Sequence, residues 1–502
     1  MNSKVQGIIV LGVCAACLGG VAVFLSKTQP ADKADSSSSS SQAAKSNSEP
    51  DESVVILPGS ADDIASVGVK NEFGEFAVEK PASGKTNWVI EDLVSVSQDF
   101  TAEQSMVNNL DGFEAKKTVE ENAADLAKYG LDDPKTVITV TYADGEIKTL
   151  SIGDEAPDAR FVYARIDEEN TVYMVYQRKL SYYTGKVTDY VNLTMIDKPA
   201  DDNWPDYGVL TVKRSDLDYD MKFENDTSTL AGGISSQVMT EPVFSYLNIT
   251  NSTDTTHGMW GLTASECVLI EPTEEDFETY GIADPYCEVT LIGTEYDYDL
   301  KIGKAVYEQD EDGNDTDNVL SYYCYVTGSK GRDCIYSVAA ASLPWASVKA
   351  EDVISSLMTT NYIYDLDSIE VKTEDNTYTF AIESNGSSTE ALPDNANPEV
   401  TKVTLDGKEL DVDNFKSYYL YLMGCPTDEI CFEEPSGESV MTVTMSKKAG
   451  GEDVMEFYKD SSRRYIVKLN GVPSYRIPSS WFDLCIKNTE AATTDSKIQD
   501  TY

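Results

Sequence analysis

The chain has 502 residues, of which 41% are hydrophobic and 10% aromatic, enough for two to four domains that each bury a core. Its 87 acidic residues against 39 basic ones give a formal charge of -48. That balance excludes a surface that tracks nucleic-acid phosphates or anionic headgroups, so no nucleic acid is expected among the partners.

An uncharged apolar run from Gly7 to Leu25 lies between Lys4 and Lys27. At helical rise it covers roughly 28 Å, about one hydrocarbon core, so residues 1–27 read as an uncleaved transmembrane anchor that crosses the membrane through residues 7–25. A cleaved signal and a lipoprotein acylated at Cys17 are the alternatives. Residues 28–60 are rich in Ser and poor in apolar side chains and read as a flexible tether with a reach of about 30 Å. The expected placement is a single-pass protein of the cell membrane with its body outside the cytoplasm.

The body opens on a hairpin in which Val67 and Val69, then Phe76 and Val78, alternate with polar residues about a turn at Asn71 to Gly74. The pattern returns at Leu210 and Val212 with Tyr219 and Met221, and again at Ile369 and Val371 with Tyr378 and Phe380. Between hairpin and meander, Asp99 to Phe113 and Asp411 to Cys425 carry apolar residues at helical spacing. The second module shows no clear counterpart, and a shortened one is placed near Pro242 to Leu247.

The strongest internal signal is Asn122 to Pro134 (NAADLAKYGLDDP), which recurs as Thr273 to Pro285 (TEEDFETYGIADP) at one constant offset. Each copy reads as a short helix capped by Asn122 or Thr273 and closed by a left-handed Gly130 or Gly281 before a proline. A strand with Leu150, Ile152 and Gly153 follows, matched by Leu300, Ile302 and Gly303. Tyr173-x-Val175, Tyr336-x-Val338 and Tyr475-x-Ile477 close the three copies. The modules are 61–200, 205–350 and 362–488, with a polar tail at 489–502, and the third lacks the YG-x-DP turn as an atypical terminal repeat does. The fold class is α+β: tandem modules of mostly antiparallel sheet with one or two helices each.

Nothing in the sequence assembles catalysis. His257 is the single histidine and is placed in a loop, TTHGMWG, and no nucleophile elbow, P-loop, dinucleotide fingerprint or HExxH motif is present. Catalytic, cofactor and metal residues are therefore each predicted as none, and the protein is read as no enzyme. Asp132, Asp133 and Asp284 read as turn chemistry before proline. The acidic insertion Glu308 to Asn318 reads as a solvated loop, with calcium binding as the alternative, because the EF-hand spacing fails. Thirty tyrosines, clustered at Tyr182-Tyr183, Tyr322-Tyr323 and Tyr418-Tyr419-Tyr421, read as strand residues, with sugar stacking as the alternative. Cys267, Cys287, Cys324, Cys334, Cys425, Cys431 and Cys485 read as small buried hydrophobes, with one or two bridges in the later modules as the other reading.

The span, Trp88 after the first hairpin, the YGL-x-DP turn at Tyr129 to Pro134, the L-x-IG strand at Leu150 to Gly153 and Tyr173 to Val175 together resemble the bacterial domain of unknown function family 4340. A second set stands at Tyr280 to Pro285, Leu300 to Gly303 and Tyr336 to Val338. The resemblance covers nearly all of the chain after the tether and implies a membrane-linked accessory role, with protein partners of the ABC-transporter class. It brings no catalytic residues.

Overall fold

The computed structural model describes residues 53–80, 86–201, 203–226, 236–388, 397–427 and 429–501. The anchor expected at residues 7–25 and most of the tether lie outside the described residues. Among those described, no helix is long and apolar enough to cross a membrane. Residues 54–57, expected within the tether, form a strand instead, pairing Val54 with Ala115 and Leu57 with Phe113. The apolar run VVIL has surface to bury, and Ile56 and Leu57 bury it.

The alternation in the first hairpin becomes strands 64–71 and 74–79, with Val67 opposite Val78 and Val69 opposite Phe76. The other two hairpins follow, with Val212 opposite Met221 and Ile369 opposite Phe380. In each module the first hairpin strand also pairs with the first meander strand: Val67 with Val140, Val212 with Val289, Val371 with Val443. Among the described residues, the result is three antiparallel sheets of eight, nine and eight strands, beside the two-stranded pair at residues 54–57 and 113–115. The period-two pattern thus buries one face of every sheet.

Among the described residues, six α-helices accompany the sheets. In the first module α1 (Phe100–Asn108) is capped by Asp99 and buries Met106 and Val107; Phe113, expected in it, lies in a strand. In the second, α2 (Ile249–His257) supplies the helix that the sequence reading placed near Pro242 to Leu247. Like α1 it is nine residues long, and it is capped by Asn248, whereas residues 245–246 form a short strand. His257 therefore ends a helix rather than occupying a loop. There follow α3 (Glu274–Tyr280) and the single turn α4 (Ala350–Val353), and in the third module α5 (Val412–Met423) and α6 (Ser479–Thr493).

After α1 and α2 the chain returns as strands 117–120 and 266–270 to the far edge of its own sheet, beside the Tyr-x-Val strands. Among the described residues, the third module keeps a single bridge there, Ile430 with Tyr475. The tail expected from residue 489 is not free: α6 continues to Thr493, with Asn488, Thr489 and Ala492 buried. Beyond it the Ser496 carbonyl accepts from Asn414 and the Gln499 carbonyl from Asn488.

The first two modules share one continuous core, a small separate cluster gathers Ala123, Tyr129, Leu131 and Val172 in the first, and the third module has its own core. The first joint is held by backbone bonds from Met195 to Leu262 and from Ala264 to Leu193, each 2.8 Å. The second is a buried polar network. Asp453, fully buried, accepts from Tyr246 at 2.7 Å, Lys447 at 3.1 Å and Asn470 at 3.2 Å, while Tyr475 donates to Ser245 at 2.6 Å.

Candidate clefts formed by the repeated turn

The two motifs that recur in the sequence are two sides of one contact. The YG turn folds onto the outer face of its sheet, where a Cβ on Gly153 would stand 2.1 Å from the Tyr129 carbonyl oxygen and one on Gly303 would stand 2.4 Å from that of Tyr280. Only glycine permits the approach. Aromatic pairs complete it, Tyr129 with Tyr163 at 4.8 Å, and Phe277 with Tyr325 and Tyr280 with Tyr323 at 4.9 and 4.7 Å. Gly130 and Gly281 take the left-handed conformation that the sequence required of them, at φ 68° and 73°.

The copies differ at their starts. Thr273 and Asp276 cap α3 reciprocally, at 2.9 and 3.3 Å. Asn122 does not cap a helix: it has φ 52°, and its copy winds only a 3-10 turn at Ala127–Tyr129. An asparagine tolerates that left-handed backbone, which turns the chain away from the helical entry.

Beside each turn lies an open cleft. The first, of about 890 Å³, is floored by Gly153 and lined by Lys135, Glu155, Arg160 and Arg178 among others. Arg160 grips Asp158 through three bonds of 3.0, 3.1 and 2.6 Å, Lys135 meets Asp154 at 3.2 Å, and the Arg178 guanidinium lies over the Tyr176 ring. The second, of about 670 Å³, is floored by Gly303 and lined by Asp284, Tyr286, Tyr307, Asp317 and Tyr322. There Tyr286 and Tyr322 stack with centroids 6.0 Å apart. One scaffold thus presents three cations with Glu72 and Glu155 in one cleft, and three tyrosines with Asp284, Asp317 and Lys304 in the other.

Other expected residues are placed as follows. Asp132, Asp133 and Asp284 are exposed in their turns. Among the described residues, no group of three or more His, Cys, Asp or Glu side chains stands close enough to hold a metal ion. The insertion at 308–318 is mainly strand, the end of a two-stranded arm built from Asp297–Gln309 and Asp315–Thr327. At its tip the Asp310 carboxylate accepts from the backbone of Asn314 and Asp312 at 2.9 and 3.0 Å, and these bonds hold its carboxyl below the usual range. His257 is half-buried, with Nδ1 2.8 Å from the Thr256 hydroxyl, and burial lowers its imidazole from the ordinary value.

Of the tyrosine clusters, Tyr183, Tyr418, Tyr419 and Tyr421 are buried. Tyr183 donates to the Met106 carbonyl at 2.7 Å and Tyr421 to that of Trp481 at 2.8 Å. The aromatic surface lies elsewhere. Trp204, 46% exposed, meets Trp260 edge-on, and Trp260 packs on Tyr296 and Tyr298 at 4.9 and 5.6 Å. No sequence pattern links those four residues, because a linker, a helix exit and a meander turn supply them. All seven body cysteines are buried and unpaired.

Fold and clefts define a tandem α+β sheet protein whose repeated motif residues are taken up in packing. Residues 88–233 match the family model described as Domain of unknown function (DUF4340), the family that the motifs of the chain resemble. No curated protein matches the chain.

Proposed function

We propose that this protein is a membrane-anchored, extracytoplasmic and non-catalytic binding component that serves an ABC-type transporter complex as an accessory. The observation that carries the reading is the use of the repeated residues. Tyr129, Gly153, Tyr280 and Gly303 hold turn against sheet, so the repeat provides a scaffold, and the differing side chains around it supply two clefts of unlike chemistry. Such surfaces suit recognition of a protein partner, with tyrosine and arginine as anchors. The apolar run at residues 7–25 and the Ser-rich tether would keep those surfaces near a membrane complex.

Photo-crosslinking in cells tests the reading. A photoreactive residue placed at Arg178 or Tyr307 of the full-length chain should give adducts with transporter subunits. Adducts with neither position, while the chain is folded and in the envelope, would remove the transporter from the account.

Envelope carbohydrate is the second reading, favoured by the exposed Trp204 beside Trp260 and Tyr296. Binding on a glycan array that is lost in W204A would put it first.

A further inference from the structure

We propose that Cys267 and Cys334 are a dithiol modification site, closed to a disulfide by a thiol–disulfide oxidant, and that the cross-link secures the joint between the first and second modules.

The two residues stand on adjacent antiparallel strands, with Cys267 opposite Tyr336 and Cys334 opposite Ile270. The register shifts between Cys267 and Leu269, so the pair lies diagonally across a bulge. Both side chains enter the same core, at 1% and 0% exposure. Cys287 and Cys324, by contrast, are separated by the strand of Ile302, which pairs with both. Cys431 is engaged by the Glu433 carbonyl.

The pair is also asymmetric. The neighbouring Cys267 thiol holds the Cys334 thiol below its ordinary value, and the Arg332 guanidinium acts in the same direction. The Cys334 thiol beside it, with burial, pushes Cys267 up. Cys334 is therefore the attacking thiol. Its thiolate attacks one sulfur of a disulfide such as oxidised glutathione and expels one glutathione thiolate, leaving a mixed disulfide. Cys267 then gives its proton to solvent, attacks the Cys334 sulfur and expels the second thiolate. One intramolecular S–S bond forms, the oxidant's S–S bond breaks, and the two electrons lost by the cysteines leave as two reduced glutathiones.

The placement gives the bond a consequence. Just before Cys334, the Gly331 carbonyl accepts from Ser97 of the first module at 2.8 Å, and Arg332 donates to the Thr194 carbonyl. Just before Cys267, Glu266 pairs with Lys186 at 3.2 Å. The cross-link ties together the two strands that carry these contacts.

The test starts from full-length chain, reduced and unfolded in urea, then refolded in glutathione buffers of oxidising or reducing ratio. Each sample is denatured in N-ethylmaleimide and digested without reduction. The oxidised sample should yield one cross-linked peptide pair, holding Cys267 and Cys334, with the other body cysteines alkylated, and the reduced sample should lack it. Alkylation of both residues in the oxidised sample, or cross-links scattered over other cysteines, overturns the proposal. The same alkylation applied directly to the envelope fraction of expressing cells reads the site without refolding, and two alkylated residues there overturn it equally. In C267S, Cys334 should be recovered alkylated and not joined to a new partner. For the joint, trypsin cleavage after Lys330 and Arg332 should be slower in the cross-linked form, and equal rates would refute that half of the inference.

Discussion

Glu103 offers a pH dependence that can be worked through to a sign and a size. It lies in α1, is fully buried, and neither carboxylate oxygen has a hydrogen-bond partner. Burial, with the Asp99 carboxylate one turn earlier, raises its carboxyl to about 7 from an ordinary 4.5. In that interval the folded chain holds a proton that the unfolded chain has released. This contribution is fully favourable below pH 4.5, declines as pH rises and is lost above about 7. At 1.36 kcal/mol per unit the whole swing is at most about 3 kcal/mol. Glu103→Gln keeps the shape without the charge. It should leave stability nearly unchanged at pH 4.5 and raise it by about 2 kcal/mol at pH 8. Urea unfolding of both proteins at intervals across that range measures the difference. A difference that does not change with pH, or a variant less stable at pH 8, would refute the reasoning.

Three further outcomes are expected. Gly153→Ala and Gly303→Ala each drive a methyl into a carbonyl oxygen and should cost about 2 kcal/mol or more in thermal or urea unfolding, whereas Gly68→Ala, whose Cβ would meet nothing nearer than 3.7 Å, should cost less. Asp453→Ala strands the Lys447 ammonium in a buried site and should cost about 3–5 kcal/mol, with faster proteolysis of the third module. Calcium should leave the melting temperature unchanged, since Asp310 already serves its own turn; a rise that disappears on deleting residues 308–318 would favour a cation site in the arm.

Sheet architecture was legible because its signal is local: Val67, Val69, Phe76 and Val78 declare both strands and their buried face. The left-handed Gly130 and Gly281 were legible because a YG-x-DP stretch leaves few other conformations. The α2 helix was not, since its buried face consists of Ser252, Thr255 and Thr256, which show no apolar period. Asn122 misled because asparagine serves equally as a cap and as a left-handed residue. Of the candidate site, the motif residues were visible but their mutual contact was not. Tyr129 and Gly153 are joined only when the meander folds back. The strut from Tyr246 to Asp453 spans 207 positions and has no local signature at either end.

The most direct test of the central claim is purification of the tagged full-length chain in mild detergent from its own cells, beside a form lacking residues 1–27, with mass spectrometry of the co-eluting proteins. The account predicts transporter subunits with the anchored chain and not with the shortened one. Specific recovery of none from either would contradict it and turn attention to envelope glycans.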